Sequence, residues 1–345
     1  MKYRLYTTSQ KAWDGMFKAI EKATQSIYME MYIFLDDTQS THNFLGILEE
    51  KAKSGVEVVI VADAVGSFAL SNKRINELKI AGIEFMFFSH WLHRTHRKIL
   101  IIDKKVAFIG GVNIKENIRY WHDLQIKIEG LIVRPLIKSF AYTYKVSGGK
   151  KESILKYSNL SLVKKIKSWI TDNIPIAGRL YNLNDYYKKK IAGAKSSIRI
   201  VTPYLLPPRW FLIAIDDACR RGVYVEIISP NNTDIKILNK FNYLNACRMS
   251  VLGVKFYLMP MMNHGKMMLI DDEEGLIGSQ NMDILSFNWN MEAGVFFRQK
   301  KLVADLKRIV DHWRDQSIPF DSDWREIKWY DKIIINIFKI FYPII

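Results

Sequence analysis

His96-Arg97-Lys98-Ile99-Leu100-Ile101-Ile102-Asp103 and His264-Gly265-Lys266-Met267-Met268-Leu269-Ile270-Asp271 are two copies of one pattern in a chain of 345 residues. In each copy His and Lys are followed, after four apolar residues, by Asp. Six residues later comes a glycine-led stretch, Gly110-Gly111-Val112-Asn113 in the first copy and Gly278-Ser279-Gln280-Asn281 in the second. A lone His-x-Lys carries almost no information. Two copies with every gap preserved are a strong signal of duplication.

Reading outward from the first copy, residues 11–25, 42–53 and 72–81 carry helical periodicity, and Ser26–Phe34, Val56–Asp63, Ile83–Phe88 and Lys98–Asp103 read as strands. The same order returns about 170 residues later. Ser26-Ile27 matches Ser197-Ile198, Gly55-Val56 matches Gly222-Val223, and Gly82-Ile83 matches Gly253-Val254. Strands alternating with helices predict an α/β fold. Here it comprises two similar units, each a mixed β-sheet flanked by helices, packed as an internal pseudo-dimer. The expected boundaries are a first repeat over 1–150, a linker with a short helix (about 161–173) over 151–175, a second repeat over 176–315, and a C-terminal tail over 316–345.

Alternate residues of a strand share a face, so His96 projects with Lys98 and His264 with Lys266. Asp103 lies an odd number of positions beyond His96, about 23 Å along an extended strand. Asp103 and Asp271 are therefore read as turn or buried-network groups that hold the strand. Each half then offers an imidazole, an ammonium and a carboxamide, a set suited to a phosphate diester. Ammonium and amide groups bind its oxygens, and an imidazole attacks phosphorus or carries a proton. Two facing sets supply a nucleophile and a general acid.

The paired motifs resemble those of the phospholipase D superfamily, and the resemblance covers both halves. The Gly110–Ile114 stretch, Trp121-His122-Asp123 and the terminal Tyr342-Pro343-Ile344-Ile345 are similar to the bacterial cardiolipin synthase branch. The resemblance places His96, Lys98, Asp103, His264, Lys266 and Asp271 in the catalytic motifs. It implies a covalent phosphatidyl-histidine on one histidine, His96 by preference, with His264 as acid and base; the reverse assignment stays open. Lys98, Lys266, Asn113, Asn281 and Ser279 would bind the phosphate, with Gly111 leaving any hydroxyl contribution one-sided. Glu292, 28 residues after His264, and Asp123, 27 after His96, match the family's histidine-orienting acids. No metal and no cofactor is implied. The activity implied is phosphatidyl transfer with phosphatidylglycerol as donor and acceptor. Phospholipid hydrolysis and a nuclease-type phosphodiesterase are the alternatives.

Composition and surroundings bear on the substrate. Fifty-one basic residues against 35 acidic ones give a net charge of +16, a field that favours a nucleic acid or an anionic membrane. Two cysteines, Cys219 and Cys247, make neither a disulfide framework nor a zinc site. His42, His90, His93, His122 and His312 are read as ordinary residues, with His93 near enough to His96 for a lip. The stretches Phe85–Leu92, Gly66–Leu70, Tyr204–Leu212 and Phe256–Met262 are apolar and rich in Met and aromatics. Part of each must be core, and the remainder suits acyl chains better than a phosphate backbone. Residues 327–342 read as an amphipathic helix with Lys328, Lys332, Asn336 and Lys339 as a polar stripe, fit either to pack on the body or to lie in a membrane interface. With no signal peptide and no apolar run of transmembrane length, the expected location is peripheral, on the cytoplasmic face of the membrane. The expected partners are anionic phospholipids, phosphatidylglycerol and cardiolipin, and no nucleic acid.

Overall fold

The computed structural model describes residues 1–158, 168–174 and 180–321. The first repeat builds seven strands: β1 (Lys2–Thr8), β2 (Ser26–Met31), β3 (Glu57–Asp63), β4 (Glu84–Phe88), β5 (Lys98–Ile102), β6 (Val106–Gly110) and β7 (His122–Glu129). They form one sheet in the order β1-β7-β6-β5-β2-β3-β4. Strands β2, β3 and β4 run parallel, as helical crossovers require. The remaining pairs are antiparallel.

The second repeat lays down the same pattern with β8 (Ser168–Ile174), β9 (Ser197–Val201), β10 (Tyr224–Pro230), β11 (Lys255–Met259), β12 (Met267–Ile270), β13 (Glu274–Gly278) and β14 (Glu292–Phe297). Its pairings reproduce the first sheet strand for strand. Leu180–Tyr181 extends one edge and Ile318–Pro319 the other, giving nine strands.

Strand β8 corrects the sequence reading. A helix was expected over 161–173, yet Ser168–Ile174 is the partner of β14 and the counterpart of β1. Ile170 and Ile174 lie four positions apart and so share one face of that strand. The second repeat thus takes in part of the segment expected as linker. The short helix described in that segment is Glu152–Leu155 instead. Residues 322–345, including the expected amphipathic helix, lie outside the described residues. Among the described residues no helix is long and apolar enough to cross a membrane.

Two local devices make the repeat visible in sequence. Gly55, Gly82, Gly222 and Gly253 close helices with φ of 81–98°, a conformation that costs other residues their Cβ clearance. Asp103-Lys104 and Asp271-Asp272 both take left-handed φ and turn β5 into β6 and β12 into β13 as tight hairpins. One buried apolar cluster runs from Tyr28, Ile99 and Leu124 through Phe140 to Met267, Val295, Leu306 and Trp313, so the two sheets share a core.

Candidate active site

The carboxyl ends of the parallel strands β2, β3 and β4 and the start of antiparallel β5 fall at one edge of the sheet. His96 sits two residues before β5 and Lys98 opens it. His264 and Lys266 stand just before β12 in the second repeat. All four side chains are buried.

At this edge the two repeats exchange backbone hydrogen bonds. His96 N donates to Met291 O at 3.0 Å, and Met291 N donates to Arg94 O at 2.8 Å. The mirror contact has His264 N donating to His122 O at 2.7 Å and His122 N to Met262 O at 3.1 Å. Each exchange delivers the next residue along, Glu292 or Asp123, to the histidine of the opposite repeat. His96 Nδ1 lies 2.9 and 3.2 Å from the two carboxylate oxygens of Glu292. His264 Nδ1 lies 2.9 Å from Asp123 Oδ2. The acids anticipated from spacing are therefore paired crosswise, which position along the chain does not reveal. A carboxylate accepting from Nδ1–H fixes the tautomer that leaves Nε2 with its lone pair.

Burial dominates the electrostatics. It pushes His96 down to about 4, against the upward pull of Glu292. Burial likewise lowers His264, with Lys266 adding to it. Lys98 is driven well below the usual lysine range by burial, and Lys266 down to about 8. Glu292, which burial alone would raise, is held below its ordinary range by His96, Lys98 and Ser279. The field is shared across the repeats, since His96 responds to Lys266 and His264 to Lys98. A bound anion would relieve the lysines and raise both imidazoles. The ammonium of Lys98 donates to His96 O and lies 4.9 Å from the centre of the Tyr32 ring, while Lys266 donates to His264 O.

Ser279, expected at the phosphate, is committed to the acid. Its hydroxyl donates to Glu292 and accepts from Ala293 N at 3.1 Å. Its counterpart Gly111 has no room for a side chain, because a Cβ there would lie 2.2 Å from Asp123 Oδ1. The shorter acid sits where the longer one needs a serine. Gly111→Ser is accordingly expected to displace Asp123 and lower turnover at least about tenfold with the fold retained, checked by steady-state rates beside circular dichroism. Asn113 Oδ1 accepts from Ile33 N at 3.2 Å, tying that carboxamide to the end of β2. Asn281 is buried, and its Oδ1 has no hydrogen-bond partner among the described residues.

Asp103 and Asp271, placed by the resemblance in the catalytic motifs, are not at this edge. Asp103 accepts from the backbone amides of Thr24, Gln25 and Ser26, and Asp271 from those of Lys195, Ser196 and Ser197. Each closes the far end of its strand onto the start of β2 or β9, as strand geometry required. Asp103→Ala should cost about 2 kcal/mol of stability in urea melts and leave kcat unchanged.

Several neighbours of the histidines were not among the expected site residues. Tyr32 meets the His96 ring edge-on at 4.8 Å, and Trp121 and Tyr204 stand 5.7 and 6.2 Å from that of His264. Asp63, at the carboxyl end of β3, accepts from Val65 and Gly66 N and from Thr95 N, fixing the residue before His96. Its place at the end of a parallel strand is the signal that marks it. Of the apolar lips, Phe85, Phe88, Phe256 and Met259 are core, whereas Phe68, Trp91 and Met261 are exposed on loops at the site's end of the sheets.

The model of the family described as cardiolipin synthase, phospholipase D-like domain, matches residues 16–142 and 187–313. The cardiolipin synthase of Halalkalibacterium halodurans is 30% identical, over 99% of this chain and 72% of that protein. That of Clostridium perfringens strain 13 is 34% identical, over 88% of this chain and 68% of that protein. Among solved structures, phosphatidylserine synthase from Haemophilus influenzae superposes with a TM-score of 0.76 at 16% identity, covering 99% of this chain and 93% of its own, a likeness of fold.

Proposed function

Because this chain belongs to the cardiolipin synthase, phospholipase D-like domain family, and so is a phosphatidyltransferase of the phospholipase D superfamily, we propose that it joins two phosphatidylglycerol molecules through a phosphatidyl–His96 intermediate. The crossed pairing of each histidine with the other repeat's carboxylate carries this reading, because it equips two imidazoles for complementary work in one shared field.

Neutral His96 attacks phosphorus through Nε2, and the bond from phosphorus to the glycerol oxygen breaks. Protonated His264 gives its proton to that oxygen, releasing glycerol. Now neutral, His264 takes the proton of a hydroxyl on the second phosphatidylglycerol, whose oxygen attacks phosphorus as the phosphorus–nitrogen bond breaks. Cardiolipin leaves and both histidines return to their starting states. Lys98 and Lys266, with Asn113 and Asn281, hold the phosphate oxygens. The roles divide by environment. His96 has the two-oxygen contact with a serine-buttressed Glu292 and the pKa near 4, which keep it neutral and aimed. Burial lowers His264 as well, against the upward pull of Asp123; the negative charge of a bound phosphodiester is what favours its protonated form.

Transfer rather than hydrolysis is favoured by the burial of both imidazoles, which limits water at the intermediate. Exposed Phe68, Trp91 and Met261, together with the net charge of +16, support peripheral work at an anionic membrane.

The test is mass spectrometry of lipids after incubating the protein with phosphatidylglycerol vesicles. Cardiolipin and glycerol in equal amounts are expected; phosphatidic acid alone would refute transfer. The pH profile gives a second check. His96 must be neutral to attack, so kcat/KM should hold on the acid side until pH approaches about 4, below where an ordinary imidazole is protonated.

A further inference from the structure

A second basic cavity lies where strand β1 meets the helix Lys300–Asp315. Strand β1, the ends of β7 and the helix Lys300–Asp315 enclose an open cleft of about 1040 Å³. Six cationic side chains, Lys2, Arg4, Lys11, Lys127, Lys301 and Arg308, line it together with two carboxylates, leaving four positive charges in excess. Both carboxylates are engaged within the wall. Glu129 pairs with Lys127 at 2.9 Å, while Asp305 pairs with Arg308 and accepts from Tyr3 Oη at 2.7 Å.

His122 lines the cleft beside Trp313, 6.4 Å ring to ring. A concave wall with four uncompensated cations concentrates a positive potential. A single carboxylate would neutralise only a quarter of the excess. Phosphate groups match both the charge and the Arg and Lys donors.

We propose that this cleft is a second anion site, taking a multiply charged phosphate ligand apart from the centre where phosphorus reacts. None of His96, Lys98, His264 and Lys266 lines it. The two places are nevertheless adjacent in the chain, because His122 accepts the amide of His264 and precedes Asp123. The inference stands independently of the transferase reading, since it concerns binding alone.

Equilibrium dialysis with inorganic pyrophosphate tests it on the whole chain. Lys98→Ala/Lys266→Ala removes the phosphate-holding lysines, and this variant should still bind one pyrophosphate. Adding Arg4→Ala, Lys11→Ala and Lys301→Ala should weaken that binding at least about tenfold. Wild type should likewise fall from two bound pyrophosphates to one when only the three cleft residues are changed, which answers the question should the lysine variant not fold. Competition by phosphatidylglycerol vesicles, but not phosphatidylcholine vesicles, would mark the ligand as a lipid headgroup; displacement by soluble phosphates alone would mark it as a free phosphate. Binding that survives the triple substitution, or that vanishes entirely with the two lysines, would overturn the proposal.

Discussion

His264→Ala is expected to divide the reaction into its two halves. With phosphatidylglycerol the departing group is an alkoxide, which needs a proton as it leaves. Loss of the acid should then reduce transfer by about 10²-fold to 10⁴-fold. An activated diester that expels p-nitrophenolate needs no such proton. On that substrate the variant should still release one equivalent of p-nitrophenol per chain, and a phosphorylated His96 should accumulate because nothing remains to activate the incoming alcohol. His96→Ala should give no burst and no adduct, with transfer lowered at least about 10³-fold. Intact-mass and peptide analysis after acid-free quenching reads both. An adduct on His264 in the His96→Ala chain would reverse the assignment, and the lack of an adduct in every variant would exclude the covalent step.

Glu292→Gln is the second large effect expected, about 10²-fold to 10⁴-fold in kcat with little change in KM. The amide fills the same space, so packing is preserved. It can offer its own N–H to Nδ1, however, which stabilises the tautomer with Nε2 protonated and useless as a nucleophile. Removing the negative charge also withdraws the group that raises His96, so the acid limb of kcat/KM should move to lower pH. Ser279→Ala, which only loosens Glu292, should cost about tenfold. A Glu292→Gln enzyme within a few-fold of wild type would show that the contact does not orient the nucleophile.

How much of this was readable beforehand depends on what each residue had to satisfy. Helices Phe44–Lys53 and Asn72–Ile80 follow their apolar periodicity because one face of each is core, and strands β3, β4 and β5 read as apolar runs because both of their faces are core. The hairpin strands β6 and β7, the edge strand β1 and its counterpart β8 gave weaker patterns. Strand β1 alternates exposed and half-buried residues and takes its place from β7 rather than from its own hydrophobicity.

The same division holds at the site. The two His-x-Lys pairs announce themselves by exact repetition of their gaps. Asp123 and Glu292 were implied by the family resemblance, but their crossing depends on where the repeats bridge, at Thr95–Met291 and His122–Asn263. Tyr32 and Asp63 have no repeated counterpart to flag them. Ser279, expected at the phosphate, donates to Glu292, a contact that no motif announces.

The exchange of carboxylates between repeats has a genetic corollary. Each copy carries the tuning group for its sibling's histidine, so a lesion at Asp123 in the first half disables the chemistry of the second, and one at Glu292 disables the first. Neither copy is free to decay while the other keeps working. A single repeat wired this way would be inert alone, since its histidine would lack the carboxylate that the other repeat supplies.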